Sequence, residues 1–157
     1  MPPPSEILYA ATLFTTPLWI AAAGELVVER AGVVNIGIEG MMLAGALAAW
    51  VVNAHYGATW GWLAAIAAAV ALALLFAVAV LTFGADQIVT GTGINLLALG
   101  VTALAYKKLS AGMADLHVTA ARPVTLLILS LAMLALAWAF MGWTRWGLEP
   151  ATFGKMY

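Results

Sequence analysis

ERAGVVNIGIEGMML, residues 29–43, joins two apolar runs and crowds polar and flexible residues into one place. Glu29 and Arg30 close the first run. Gly32, Asn35, Gly37, Glu39 and Gly40 follow within ten residues. The chain around them is 65% hydrophobic and 8% charged, with a mean hydropathy of +1.03. A carboxylate at the centre of a membrane helix costs about 2.5–3.5 kcal/mol, so Glu39 is expected to face protein or water rather than lipid. Gly37 and Gly40 allow the backbone to bend or a second helix to come close. The segment reads as a break, with apolar helices on either side to enclose it.

Composition excludes most other classes. Soluble domains carry about 25% charged residues, three times the share found here. The apolar runs are continuous and rich in Ala and Leu, not alternating, which argues for helices and against a β-architecture. The expected fold is all-α: a polytopic transmembrane bundle of about five spans, one of them broken or re-entrant near residues 32–45. The whole chain, residues 1–157, forms one transmembrane domain, with a short tail at residues 1–6 and a polar tail at residues 144–157. There is no cysteine, and the net charge of −1 leaves no nucleic-acid footprint. The start MPPPSE lacks a basic region, and the first run is long for a cleaved leader, so it is expected to remain as a span.

Outward from the break, the runs follow in order. Residues 7–28 suffice to cross a hydrocarbon core of about 30 Å. Pro17 is expected to kink that run, with Thr15 and Thr16 satisfying the freed backbone groups. Residues 36–52 are short for a span, and Gly40, Ala44 and Ala48 place small residues four apart for helix packing. Residues 53–59 read as a loop, flanked by Trp50, Trp60 and Trp62 at a membrane–water boundary. Residues 60–83 carry an unbroken small stripe, Gly61, Ala65, Ala69, Ala73 and Ala77, which predicts a close helix neighbour.

The next stretch, GADQIVTGTGINLLALG at residues 84–100, opens with Asp86 as a natural helix cap. Gln87, Gly91 and Asn95 recur at spacing four, so an apolar helix carries one polar, small-residue face. Interhelical hydrogen bonding and a pathway lining both fit that face. Residues 109–122 form a second loop holding Asp115, His117 and Arg122; two such residues without a third do not define a metal site. Residues 124–143 are uniformly apolar. Basic residues divide three against three between the two sides, Lys107, Lys108 and Arg122 against Arg30, Arg145 and Lys155, and leave orientation open.

No nucleophile–base pair, zinc signature or nucleotide-binding loop is visible. The polar groups at depth suit passage of a neutral polar solute better than bond breaking. The chain is therefore not expected to be an enzyme or to bind a cofactor.

Two long motifs carry a resemblance. GELVVERAGVVNIGIEGMMLAGALAA (residues 24–49) and ADQIVTGTGINLLALGVTALAY (residues 85–106) resemble the permease subunits of ABC importers for simple sugars, nucleosides and branched-chain amino acids. TRWGL (residues 144–148) is a weaker match, and the similarity runs from about residue 15 to 148. The resemblance implies a multi-pass subunit of the bacterial cytoplasmic (inner) membrane. It would receive nucleosides or simple sugars from a solute-binding protein and be opened by separate ABC ATPase subunits that hydrolyse ATP. Asn35, Glu39, Gln87, Thr90, Thr92 and Asn95 become candidates for the solute pathway.

Family members are about twice as long, so the resemblance implies an amino-terminal half that works with a second permease half or a paired permease subunit. It also implies a cytoplasmic carboxyl end. Five spans then put the amino terminus outside, unless residues 35–39 do not cross fully. The alternative reading is a small self-associating structural or regulatory membrane protein without transport activity.

Overall fold

The computed structural model describes residues 3–112 and 123–143. Asp115, His117, Arg122, the TRWGL motif and the tail at 144–157 lie outside the described residues. Helix α1 spans Pro4–Arg30, α2 Ile38–Tyr56, α3 Ala58–Ala77, α4 Gln87–Leu109 and α5 Pro123–Trp143. Among the described residues there is no strand. The fold is an all-α, polytopic helical membrane bundle. Three segments are long and apolar enough to cross a membrane: Tyr9–Arg30, Ala58–Thr82 and Gln87–Gly112. Val124–Phe140 is a shorter apolar helix. Helix α2 is not among the three; it carries Glu39 in its first turn and His55 in its last.

The chain divides into two units, one formed by residues 1–34 with 121–157 and the other by residues 35–120. In the first, α1 packs on α5. Helix α1 takes in residues 4–6, expected as part of a tail. It is assigned as one helix through Pro17. Proline lacks the amide that Leu13 O would accept, yet the threonine hydroxyls do not go there. Thr15 Oγ1 donates to Ala11 O and Thr16 Oγ1 to Thr12 O, both at 2.7 Å. A helical threonine reaches the carbonyl four residues before itself, and Leu13 is not four before either. Thr16, Ala23 and Ser130 are buried, Ser130 completely. Its hydroxyl donates to Leu127 O at 2.8 Å.

In the second unit α2 packs against both α3 and α4. The expected loop at 53–59 shrinks to Gly57. Helix α2 continues through His55 and Tyr56, and α3 begins at Ala58. Gly57 has φ +87°, a conformation that residues bearing a Cβ rarely adopt, so one glycine makes the turn. Trp60 and Trp62 stand exposed just beyond it. At its far end α3 widens into a π-turn at Val78–Thr82, where Phe83 N–H donates to Val78 O at 3.2 Å.

The α2–α3 seam is built from small residues. A Cβ on Gly61 would stand 2.8 Å from Asn53 Cβ and 3.1 Å from Ala49 O. One on Gly45 would stand 3.2 Å from Ala65 O and 3.9 Å from Ala69 Cβ. Gly40, by contrast, meets α4. Five residues separate Gly40 from Gly45, about 140° around a helix, so the small residues of α2 serve two neighbours on different faces. The expected stripe Gly40, Ala44, Ala48 assumed one face; Ala44 and Ala48 are half-buried.

Candidate functional site

The break expected near residues 32–45 lies at residues 31–37, between two regular helices. Gly32 there has φ +81°. From Ile38 onward the chain is helical, so residues 38–45 are not broken. Helix α2 opens against α4, and its first amides need partners there. Its N-cap, Gly37, has no side chain to provide one. Two asparagines do so. Asn35 Oδ1 accepts from Gly37 N–H at 3.1 Å, and Asn35 Nδ2 lies 3.5 Å from Met41 Sδ. Asn95 Oδ1, on α4, accepts from Gly40 N–H at 2.7 Å. Asn95 Nδ2 donates to Ile36 O at 2.9 Å.

Contact this close requires glycine on both sides. A Cβ on Gly91 would lie 2.8 Å from Gly37 N, and one on Gly40 would lie 2.9 Å from both Asn95 Oδ1 and Ile94 O. Gly37, Gly40 and Met41 are buried on one side, and Gly91, Ile94 and Ala98 on the other. Tyr106 meets Trp50 farther along the same pair of helices, with ring centroids 5.2 Å apart. Helix α4 starts as its sequence requires: Asp86 Oδ1 accepts from Ile88 N–H and Val89 N–H, both at 2.9 Å.

The six candidate pathway residues are thus unequal. Asn35 and Asn95 each bond to the backbone at the break. Glu39 is exposed on the first turn of α2. Gln87 and Thr90 are half-buried on the first turn of α4. Thr92 is exposed, but its hydroxyl donates to Ile88 O of its own helix at 2.8 Å. Among the described residues no three His, Cys, Asp or Glu side chains gather where they could hold a metal ion. A separate groove of about 200 Å³ lies between α1 and α5, lined by Ala11, Thr12, Thr15, Thr16, Trp19 and Leu127.

Sequence spacing groups Gly91 with Asn95 but assigns neither a partner, and it passes over Ile36, Met41 and Gly45. Ile36 acts through its carbonyl, for which a sequence carries no signal. Met41 and Gly45 resemble their apolar neighbours.

Comparison with known proteins gives consistent relatives. The chain is 42% identical over 110 residues to the guanosine ABC transporter permease protein NupQ of Bacillus subtilis, covering 66% of this chain and 34% of that protein. It is 42% identical over 97 residues to the putative glucose ABC transporter permease protein TsgC13 of Haloferax volcanii, covering 61% and 30%. It is 40% identical over 98 residues to the nucleoside ABC transporter permease protein NupC of Lactococcus lactis, covering 57% and 31%. The matched stretches span about a third of these relatives. No solved structure matches. The model of the branched-chain amino acid transport system / permease component family matches residues 7–154, nearly the whole chain, and the chain belongs to that family.

Proposed function

We propose that this chain forms part of the membrane channel of an ATP-driven importer for nucleosides or simple sugars. The family match over residues 7–154 carries the reading. The names of the relatives, guanosine, glucose and nucleoside permeases, support the solute class. Hydrolysis belongs to separate ABC ATPase subunits, and a solute-binding protein delivers the solute. The chain works with a further permease half or a paired permease subunit in the cytoplasmic membrane. Glu39 and Thr92, exposed beside the α2–α4 seam, lie toward the solute path together with Gln87 and Thr90; Asn35 and Asn95 shape its wall.

Co-expression with the ATPase, the binding protein and the partner permease tests this. Labelled guanosine and labelled glucose are offered to membrane vesicles, with and without ATP. The expected result is ATP-dependent accumulation of one of the two. An ATPase that never copurifies with the complete set overturns the reading. In the active complex, Glu39→Gln is expected to preserve insertion while altering uptake. Unchanged uptake would remove the Glu39 charge from the pathway.

A further inference from the structure

We infer that Asn95 is an amide-specific latch that holds the first turn of α2 on α4, and that it is not a solute contact. The latch itself stands on geometry alone; its consequence for uptake rests on the importer reading above.

A helix start buried within a membrane protein must find acceptors for its first amides, because lipid offers none. The usual solution is a Ser, Thr, Asp or Asn at the N-cap, whose oxygen accepts from the amide two or three residues on. Gly37 holds that position in α2 and has no side chain. Asn95 supplies the missing oxygen from another helix, 55 residues away, to Gly40 N–H. That is the amide three residues beyond the cap. The same side chain returns a hydrogen bond to Ile36 O, one residue before the cap. A single planar amide therefore clamps the chain on both sides of the point where the helix begins.

The clamp demands one acceptor and one donor on the same short group. The reversed amide orientation would set its NH₂ against Gly40 N–H and its oxygen against Ile36 O, so only one orientation satisfies both partners. Aspartate keeps the size and an acceptor but, when ionised, offers no donor and turns an oxygen on the Ile36 carbonyl. Leucine offers neither. The glycines on the two sides serve the same clamp. Gly40 has no Cβ to press on Asn95 Oδ1, and Gly91 has none to press on Gly37 N. With its oxygen on Gly40 and its nitrogen on Ile36, Asn95 is turned into the protein at the break.

The test uses the absence of cysteine from the chain. Met41→Cys places a single thiol at a position 6% exposed beside the latch, and Phe76→Cys places one at a position 4% exposed on α3. Each is reacted with N-ethylmaleimide in membranes, in the parent and in Asn95→Asp and Asn95→Leu backgrounds. Release of the latch is expected to speed labelling at position 41 by about tenfold or more in both variants, the scale of one lost hydrogen bond with its partner left unsatisfied. Position 76 is expected to keep its parent rate. An equal rise at both positions would make Asn95 a general packing residue and overturn the latch. Unchanged labelling at position 41 in both variants would also overturn it.

Uptake supplies a readout that a solute contact and a latch move differently. In the active complex, Asn95→Asp is expected to change the maximal rate of guanosine uptake and leave the half-saturating concentration within about twofold. A raised half-saturating concentration with unchanged labelling would assign Asn95 to the solute and overturn the inference. If no uptake is found with any background, the importer reading fails and the labelling result still stands.

Discussion

Helix α2 has two neighbours, and it is held to them by different means. Toward α3 the seam is closely packed. Gly45, Ala49 and Asn53 on one helix meet Gly61, Ala65 and Ala69 on the other, and Gly57 joins the two in a single-residue turn. Neighbours in sequence are brought together cheaply, because closing a short connection costs little entropy. Toward α4 the partners are 55 and 59 residues apart; beside glycines packed against backbone, Asn95 accepts a hydrogen bond from Gly40 N–H and donates one to Ile36 O. Small-residue packing allows many nearly equivalent registers, whereas a donor and an acceptor at fixed positions allow one. The local seam thus has a short connection to favour it, and the distant seam has the paired hydrogen bonds of Asn95.

The distant seam is therefore where one added methyl group is expected to do most damage. In Gly91→Ala the new Cβ stands 2.8 Å from Gly37 N and 3.2 Å from Ile36 Cβ. Neither position is the free end of a flexible side chain, so the helices must part or the latch must lengthen. Overpacking of this kind costs about 1–3 kcal/mol, and loss of the latch adds to it. Thermal unfolding in detergent is expected to show a clearly lowered midpoint. An unchanged midpoint would mean that α2 and α4 are not in this contact. Gly61→Ala tests the other seam. Its Cβ would lie 2.8 Å from Asn53 Cβ, a side-chain atom of the facing helix, and 3.1 Å from Ala49 O. The α2–α3 pair is also tied by the single-residue turn at Gly57, so a smaller fall is expected. A larger fall than for Gly91→Ala would reverse the ranking of the two seams.

Much of this was legible in the residues. Long apolar runs mark helices whatever their partners, and Asp86 announces the start of α4 because a cap acts within one turn. Gly32, Asn35 and Gly37 mark the break because turn-forming residues act locally. His55 and Tyr56 misled: polar and aromatic residues resemble a loop, but a helix ends where its hydrogen bonds end, and Gly57 alone has the backbone for that. The latch was not legible. Spacing shows that Gln87, Gly91 and Asn95 share a face of one helix, and says nothing of what that face meets. Ile36 takes part through a carbonyl that every residue possesses. The Thr15 and Thr16 hydroxyls show a related limit: their chemistry was read correctly and their targets were not, since the helix sets which carbonyl each can reach.

The smallest expected effect separates packing from helix propensity. Gly93 lies two residues from Gly91, about 200° around α4, and a Cβ there would meet nothing within 4 Å. Replacing a helical glycine by alanine favours the helix by up to about 1 kcal/mol, and that gain is common to Gly91→Ala and Gly93→Ala. Subtracting one result from the other leaves the clash at Gly91. Gly93→Ala is expected to hold the unfolding midpoint or raise it slightly, with labelling of Met41→Cys at the parent rate. A fall comparable to that of Gly91→Ala would show that the exposed face of α4 also meets a close neighbour, and the distinction between the two faces of this helix would be lost.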